Sequence, residues 1–158
     1  MRVSKLKQGD VIEIGDGAGM NYYAVSIRHD ARHFAFLNCR SRQKLSVEKV
    51  ADSEILFVIC VERSAVRSKD WQIFGHMDLP QQLLEPILFF RREIGTDDFV
   101  ILNEDWNGLK YVDIEDVRGL EPAAAWAQMH LLERLSAHFE NRESLNLKVM
   151  LPVEWEES

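Results

Sequence analysis

The chain has 158 residues, 46% of them apolar, with eight Phe and four Trp. Such a chain suits one folded domain with a closed core and excludes a disordered class. The net charge of −7 is unevenly spread: residues 1–50 carry nine Lys and Arg against five acids, and the remaining 108 carry ten against twenty-one; this argues against nucleic acid as a direct partner, because phosphate binding needs clustered cations, and suits a basic protein partner or plain solubility.

The turn Lys7-Gln8-Gly9-Asp10 leads into a short predicted strand at 11–14, and the glycine-rich stretch 15–19 follows as a flexible connection. Residues 22–28 alternate, with Tyr23, Val25 and Ile27 on one face and Tyr22, Ala24, Ser26 and Arg28 on the other. Period two predicts a half-buried strand. Residues 29–32 read as a hairpin loop and 33–39 as its return strand, so a small antiparallel meander is expected. Residues 46–50 read as one helical turn or a linker. The run 54–62 is apolar and β-branched throughout, which predicts a central strand covered on both sides. Residues 64–70 read as a turn or short helix. A strand at 71–77 is stopped by Asp78 and by Pro80, which cannot donate to a ladder.

Residues 81–85 fit one helical turn, and 86–90 are apolar and extended. Short strands are predicted at 99–103 and 110–112, around a loop in which Asn107-Gly108 is the turn signal. Residues 123–126 read either as a strand or as the start of a helix. The main helix is predicted over 128–141: Leu131, Leu132, Leu135 and Phe139 share one face, while Glu133, Arg134 and Glu140 point away. A last strand is expected at 147–153. Trp71, Trp126 and Leu135 are expected in the core. Nothing marks a domain boundary, so residues 1–158 are expected to form a single domain. The fold class is α+β and mostly antiparallel, with a strongly bent sheet or partial barrel and one main C-terminal helix.

The residues offer little for chemistry. Cys39 and Cys60 are too few for a disulfide framework and lie in apolar strand-like runs, where a buried reduced thiol is usual. Neither has the nearby His and orienting acid that nucleophilic catalysis needs. His29 and His33 flank a loop but lack an evident third metal ligand, and His130 and His138 stand two helical turns apart; both pairs read as ordinary histidines. The sequence Gly-Asp-Gly-Ala-Gly at 15–19 lacks the helix and glycine spacing of a nucleotide fingerprint. No metal or cofactor is expected. The opening MRVSKLKQGD has no apolar stretch and the longest apolar run, 55–61, is far short of a membrane span, so a cytoplasmic protein without a membrane partner is expected.

One cluster stands out. Asp97, Asp98, Glu104, Asp105, Asp113, Glu115 and Asp116 are seven acids with one cation, Lys110, among them, and Trp106 lies in their midst. Solvated hairpin loops are the plain reading. The functional reading is a protein-binding face anchored by Trp106, a residue type enriched at binding hot spots. Paired acids also admit a small hydrolase, and a barrel mouth would admit a regulatory module that binds a small ligand.

An ordered set of anchors runs through the chain: Gly9-Asp10 before Val11-Ile12, Tyr23-Ala24-Val25, the buried run 55–61, Trp71 with Gly75, Leu79-Pro80, Phe89-Phe90, Gly119-Leu120-Glu121, Ala124-Ala125-Trp126, and a closing helix from Leu135 to Phe139. This set resembles the Immunity protein 26 family of bacterial polymorphic toxin systems, over roughly residues 7 to 141. Two positions depart from that pattern: Val25-Ser26 stands where a glycine is common, and Ala127-Gln128 where Asp-Pro commonly starts the helix. The resemblance implies a cytoplasmic, non-enzymatic protein that neutralises a cognate toxin domain, such as a nuclease, by binding and occluding it. It carries over no catalytic residue. The expected toxin-binding residues are therefore the acidic set with Trp106.

Overall fold

The computed structural model describes residues 5–28 and 30–157. They form two compact units. The first is the chain up to Glu85 together with Ala125–Gln128; the second is Pro86–Ala124 with the chain from Met129 onward. The fold class is α+β with antiparallel pairing dominant and one main helix, as the sequence pattern predicts. Among the described residues the strands make two open sheets, and neither closes into a barrel.

The first unit holds β1 (Asp10–Gly15), β2 (Asn21–Arg28), β3 (His33–Ser41), α1 (Val47–Ala51), β4 (Ile55–Val61), α2 (Arg63–Val66), β5 (Trp71–His76) and α3 (Gln81–Leu84). A two-residue strand from later in the chain, here β10 (Ala125–Trp126), completes a six-stranded sheet of order β10-β4-β3-β2-β1-β5. Asp16 shapes the β1–β2 connection by accepting the backbone N–H of Ala18 at 2.7 Å and of Met20 at 3.1 Å. Ser46 caps α1 through the N–H of Lys49 at 3.2 Å, so this stretch is a helix rather than a linker. One face of the sheet packs Val11, Tyr23 and Leu37 with Val50 of α1. Elsewhere in the sheet Phe34 meets Trp71 edge-on at 5.2 Å, and Phe36 stacks on Phe57 at 5.3 Å.

The sheet order reverses two expectations. The strand expected to be half-buried, β2, is buried over Tyr22–Ile27, because it lies in the middle of the sheet with β1 and β3 on its sides. Ala24 and Ser26 are small enough to disappear under neighbours, and periodicity counts them as an outer face. The strand expected to be covered on both sides, β4, is buried over Ile59–Val61 but only half-buried from Ile55 to Val58, because its far neighbour, the two-residue β10, pairs only with Cys60 and Val61. His33, expected on the surface, is fully buried in β3. Its sequence neighbour in the proposed pair, His29, lies outside the described residues.

Two glycines are sterically required. Gly9 has φ of +91°, and a Cβ there would lie 2.5 Å from the carbonyl oxygen of Met77. A Cβ on Gly75 would lie 2.4 Å from a methyl of Val47, so this glycine lets α1 close on β5.

The second unit holds β6 (Phe89–Arg92), β7 (Phe99–Leu102), β8 (Gly108–Val112), a 3₁₀ turn (Ile114–Val117), β9 (Glu121–Pro122), α4 (Gln128–Phe139), α5 (Leu145–Lys148) and a closing 3₁₀ turn (Val153–Glu157). Only the first residue of α4 belongs to the other unit. The sheet order is β8-β7-β6-β9. Its core comprises Phe90, Phe99, Ile101 and Val117, flanked by Val112, Leu120, Leu151 and Trp155. The expected last strand at 147–153 is instead α5 and a turn: Ser144 caps α5 through the N–H of Leu147 at 3.2 Å, and a local side-chain cap outcompetes a ladder for this short segment. In α4, Leu131 and Leu135 are buried as expected, but so is Arg134. It was expected to point away, and its guanidinium instead reaches Glu121 in two bonds of 2.5 and 2.9 Å.

Candidate functional site: the acidic loops around β8

The eight candidate residues sit on three segments, and strand register sorts them into two groups. Phe99 pairs with Val112 at one end of the β7–β8 ladder and Leu102 pairs with Gly108 at the other. Asp97 and Asp98 precede Phe99, and Asp113, Glu115 and Asp116 follow Val112, so these five share the first end. Glu104, Asp105 and Trp106 lie in the β7–β8 loop at the second end. A four-residue strand separates the two groups by about 13 Å. The acids therefore flank β8 rather than form one patch.

Two of the first group, Asp97 and Glu115, meet cations that lie outside the stretch in sequence. Arg92 of β6 stands 3.8 Å from Asp97 and also binds Glu154. Arg118 grips Glu115 through two bonds of 2.6 and 3.2 Å and lies 4.8 Å over the ring of Trp155. The Arg118 bonds hold the Glu115 carboxyl below the ordinary carboxylate range. Asp116 is occupied by the backbone N–H of Asp113 at 3.1 Å, an N-terminal capping arrangement for the 3₁₀ turn. Asp98 donates its N–H to Thr96 at 3.2 Å within the β6–β7 hairpin. The side chain at that hairpin's tip, Ile94, is completely exposed.

The second group is built by Asn103. Its side-chain oxygen accepts the N–H groups of Asp105 and Asn107, both at 3.0 Å. Asn-Gly was the expected turn, yet Gly108 already belongs to β8, and the residue with left-handed backbone is Trp106, at φ of +65°. Asx bonding closes the loop without the primed turn of a two-residue hairpin. Trp106 is not a free anchor either. Its ring packs on Phe89 at 5.1 Å, leaving it 39% exposed. Glu104 is half-buried, and Asp105 is exposed.

Between the two groups runs β8. Its first four residues, Gly108, Leu109, Lys110 and Tyr111, are all exposed. Leu109 is 54% exposed and Tyr111 69%. Leu109 is also the extra residue of a bulge, because β8 takes two steps from Lys110 to Gly108 while β7 takes one from Ile101 to Leu102. Bulges re-aim side chains at sheet edges. Sequence reasoning passed over these two residues; the apolar alternation in Leu109-Lys110-Tyr111 was the available signal.

Cavities lie elsewhere. One of about 550 Å³ is lined by Phe90, Phe99 and Pro122 with Leu151 and Val153. A second of about 590 Å³ lies beside Glu13, Lys44, Glu48 and Phe74 in the first unit. A third of about 280 Å³ is bounded by Ser144, Leu147 and Trp155. None of the three is lined by any of the eight candidates. Asp97 and Asp98 lie at the opposite end of the β7–β8 ladder from Glu104 and Asp105, so these two carboxylate pairs do not meet over one substrate, and among the described residues neither sheet closes to make a barrel mouth. Among the described residues no three His, Cys, Asp or Glu side chains group to hold a metal ion. Cys60 is buried, and burial pushes its thiol pKa up, away from the thiolate. His130 and His138 are exposed on α4. No helix among the described residues is long and apolar enough to cross a membrane.

Compared with family models, with curated proteins and with solved structures, the chain matches none.

Proposed function

We propose that this chain is an immunity protein, which binds a cognate bacterial toxin domain encoded beside it and neutralises it by occlusion, without chemistry of its own. The observation that carries the reading is that the acids and large apolar side chains around β8 are presented outward on an open sheet edge and are not gathered into a cavity. Asp97, Asp98, Asp105, Leu109 and Tyr111 are all exposed there. An outward mix of negative charge and apolar area suits a protein partner with a basic surface, and complementary charge accelerates encounter. A toxin that cleaves nucleic acid has such a surface where it holds its substrate. The ordered anchors resembling the Immunity protein 26 family supply the toxin context. The cytoplasm, where an incoming toxin acts, is the proposed location.

The test is co-expression. The toxin domain from the adjacent reading frame is induced in a bacterial host with and without this chain. Restored growth together with a stoichiometric complex by gel filtration is expected. Unrelieved killing with this chain in excess, and no complex, would overturn the proposal.

A further inference from the structure

We infer that the β8 edge receives an extended, basic segment of the toxin domain as an added strand, with Leu109 and Tyr111 as its apolar anchors. This rests on the immunity reading above and names the element that carries the contact.

The four sheet ends among the described residues differ. β10 and β9 are two residues long, and β9 ends in Pro122, which has no N–H to offer. β5 is six residues long, and Val47 of α1 presses against its Gly75. β8 is five residues long with four exposed in succession. Among the described residues no backbone hydrogen bond outside the β7–β8 ladder uses any group of residues 108–112. An antiparallel edge strand turns the N–H and C=O groups of alternate residues outward, so β8 offers open backbone bonding beside apolar side chains. Strand addition uses these two features, the backbone for affinity and the side chains for selection.

Charge decides the occupant. A second copy of this chain is the common hazard at an open edge. A two-fold pairing of β8 with itself about Lys110 would set Lys110 against Lys110, and would set Glu104 and Asp105 at one strand's start towards the acids at the other strand's end. Like charges directly opposite are destabilising. The same layout favours a foreign strand with cations near both of its ends. Exposed Asp105 stands at one end of β8 and Asp113 at the other, so Lys or Arg residues about five to six positions apart on an extended segment would reach both.

The test is hydrogen–deuterium exchange of the full chain, free and with the toxin domain from the adjacent reading frame, alongside binding affinities of Leu109→Asp and Asp105→Lys. New amide protection confined to 108–112 is expected, with about 30-fold weaker binding for Leu109→Asp, the scale of a hot-spot loss. Asp105→Lys is expected to slow association several-fold at low salt, with a smaller effect at high salt. Complex formation with protection elsewhere and none on β8 would overturn this inference and leave the immunity reading standing. Absence of any complex would overturn both. Exchange on the wild-type chain answers the question even if a variant fails to fold.

Discussion

In the first unit the sheet is closed off by large apolar side chains, with Trp71, Tyr23, Phe34 and Phe36 all fully buried. In the second, Phe89 and Phe99 are as deeply buried, but the outlying segments are tied by charge. Arg134 joins α4 to Glu121 of β9. Glu133 collects the hydroxyl of Ser144 at 2.6 Å, the N–H of Leu145 at 2.8 Å and the amide of Asn146 at 3.1 Å, and so fastens the start of α5. Arg92 joins β6 to Glu154 near the C-terminus. The contrast separates two ways of holding a small unit. Apolar burial is insensitive to pH and gains strength from size, whereas polar ties hold short segments that have too little apolar area to dock alone. The proposed binding edge lies in the unit that relies on polar ties.

The contrast is tested most strongly at Trp71. Truncation to Ala is expected to cost about 3–5 kcal/mol in chemical denaturation, while Trp71→Phe should cost much less, since the indole N–H has no hydrogen-bond partner among the described residues. A Trp71→Ala protein as stable as the wild type would break the account of the first unit. Arg134→Ala should come next, at about 3 kcal/mol, because it leaves the Glu121 carboxylate without its bidentate partner. The double change Arg134→Met with Glu121→Leu should recover most of that loss. If the single and double variants are equally unstable, the residues act through packing and not through the ion pair.

Glu133 gives a smaller effect with a direction in pH. Burial pushes its carboxyl up, but bonds from Ser144, Asn146 and the backbone N–H groups of Leu145 and Asn146 outweigh it and hold the pKa below the ordinary value. A lowered folded value means that the contribution is fully present above the unfolded value of about 4.3 and is lost as pH falls through the folded one. Glu133→Gln should cost about 1–2 kcal/mol at neutral pH, and the gap between wild type and variant should narrow by pH 3. A gap independent of pH would sink the charge-based explanation. The smallest effect is expected at Glu115. Its pair with Arg118 is solvent-exposed on both sides, and exposed pairs contribute little. Glu115→Gln should leave the melting temperature unchanged, and a clear drop would show that the Arg118–Trp155 stack depends on it.

The anchors that suggested a family explain themselves structurally. Gly9 and Gly75 stand where a Cβ would collide, and Trp71 and Trp126 are 1% exposed. These residues specify a fold, which is why they were visible in the chain and why they say little about the proposed binding face.

By itself the sequence determined where most strands run, that Gln128 onward is the main helix, and that Trp71, Trp126 and Leu135 are core. These follow from local periodicity and side-chain size, which depend on neighbours two to four residues away. Tertiary structure alone decided that β2 is covered along Tyr22–Ile27 while β4 is covered only over Ile59–Val61, because burial of a strand depends on its place in the sheet and not on its own pattern. It alone paired Arg134 with Glu121 across 13 residues and Arg92 with Glu154 across 62. The acidic face divides for the same reason. Counted along the chain the acids have one cation among them, but Arg92 and Arg118 reach them from outside the counted stretch, and the register of β7 with β8 sends the rest to opposite ends. Charge acts through space, and a sequence orders residues only along the chain.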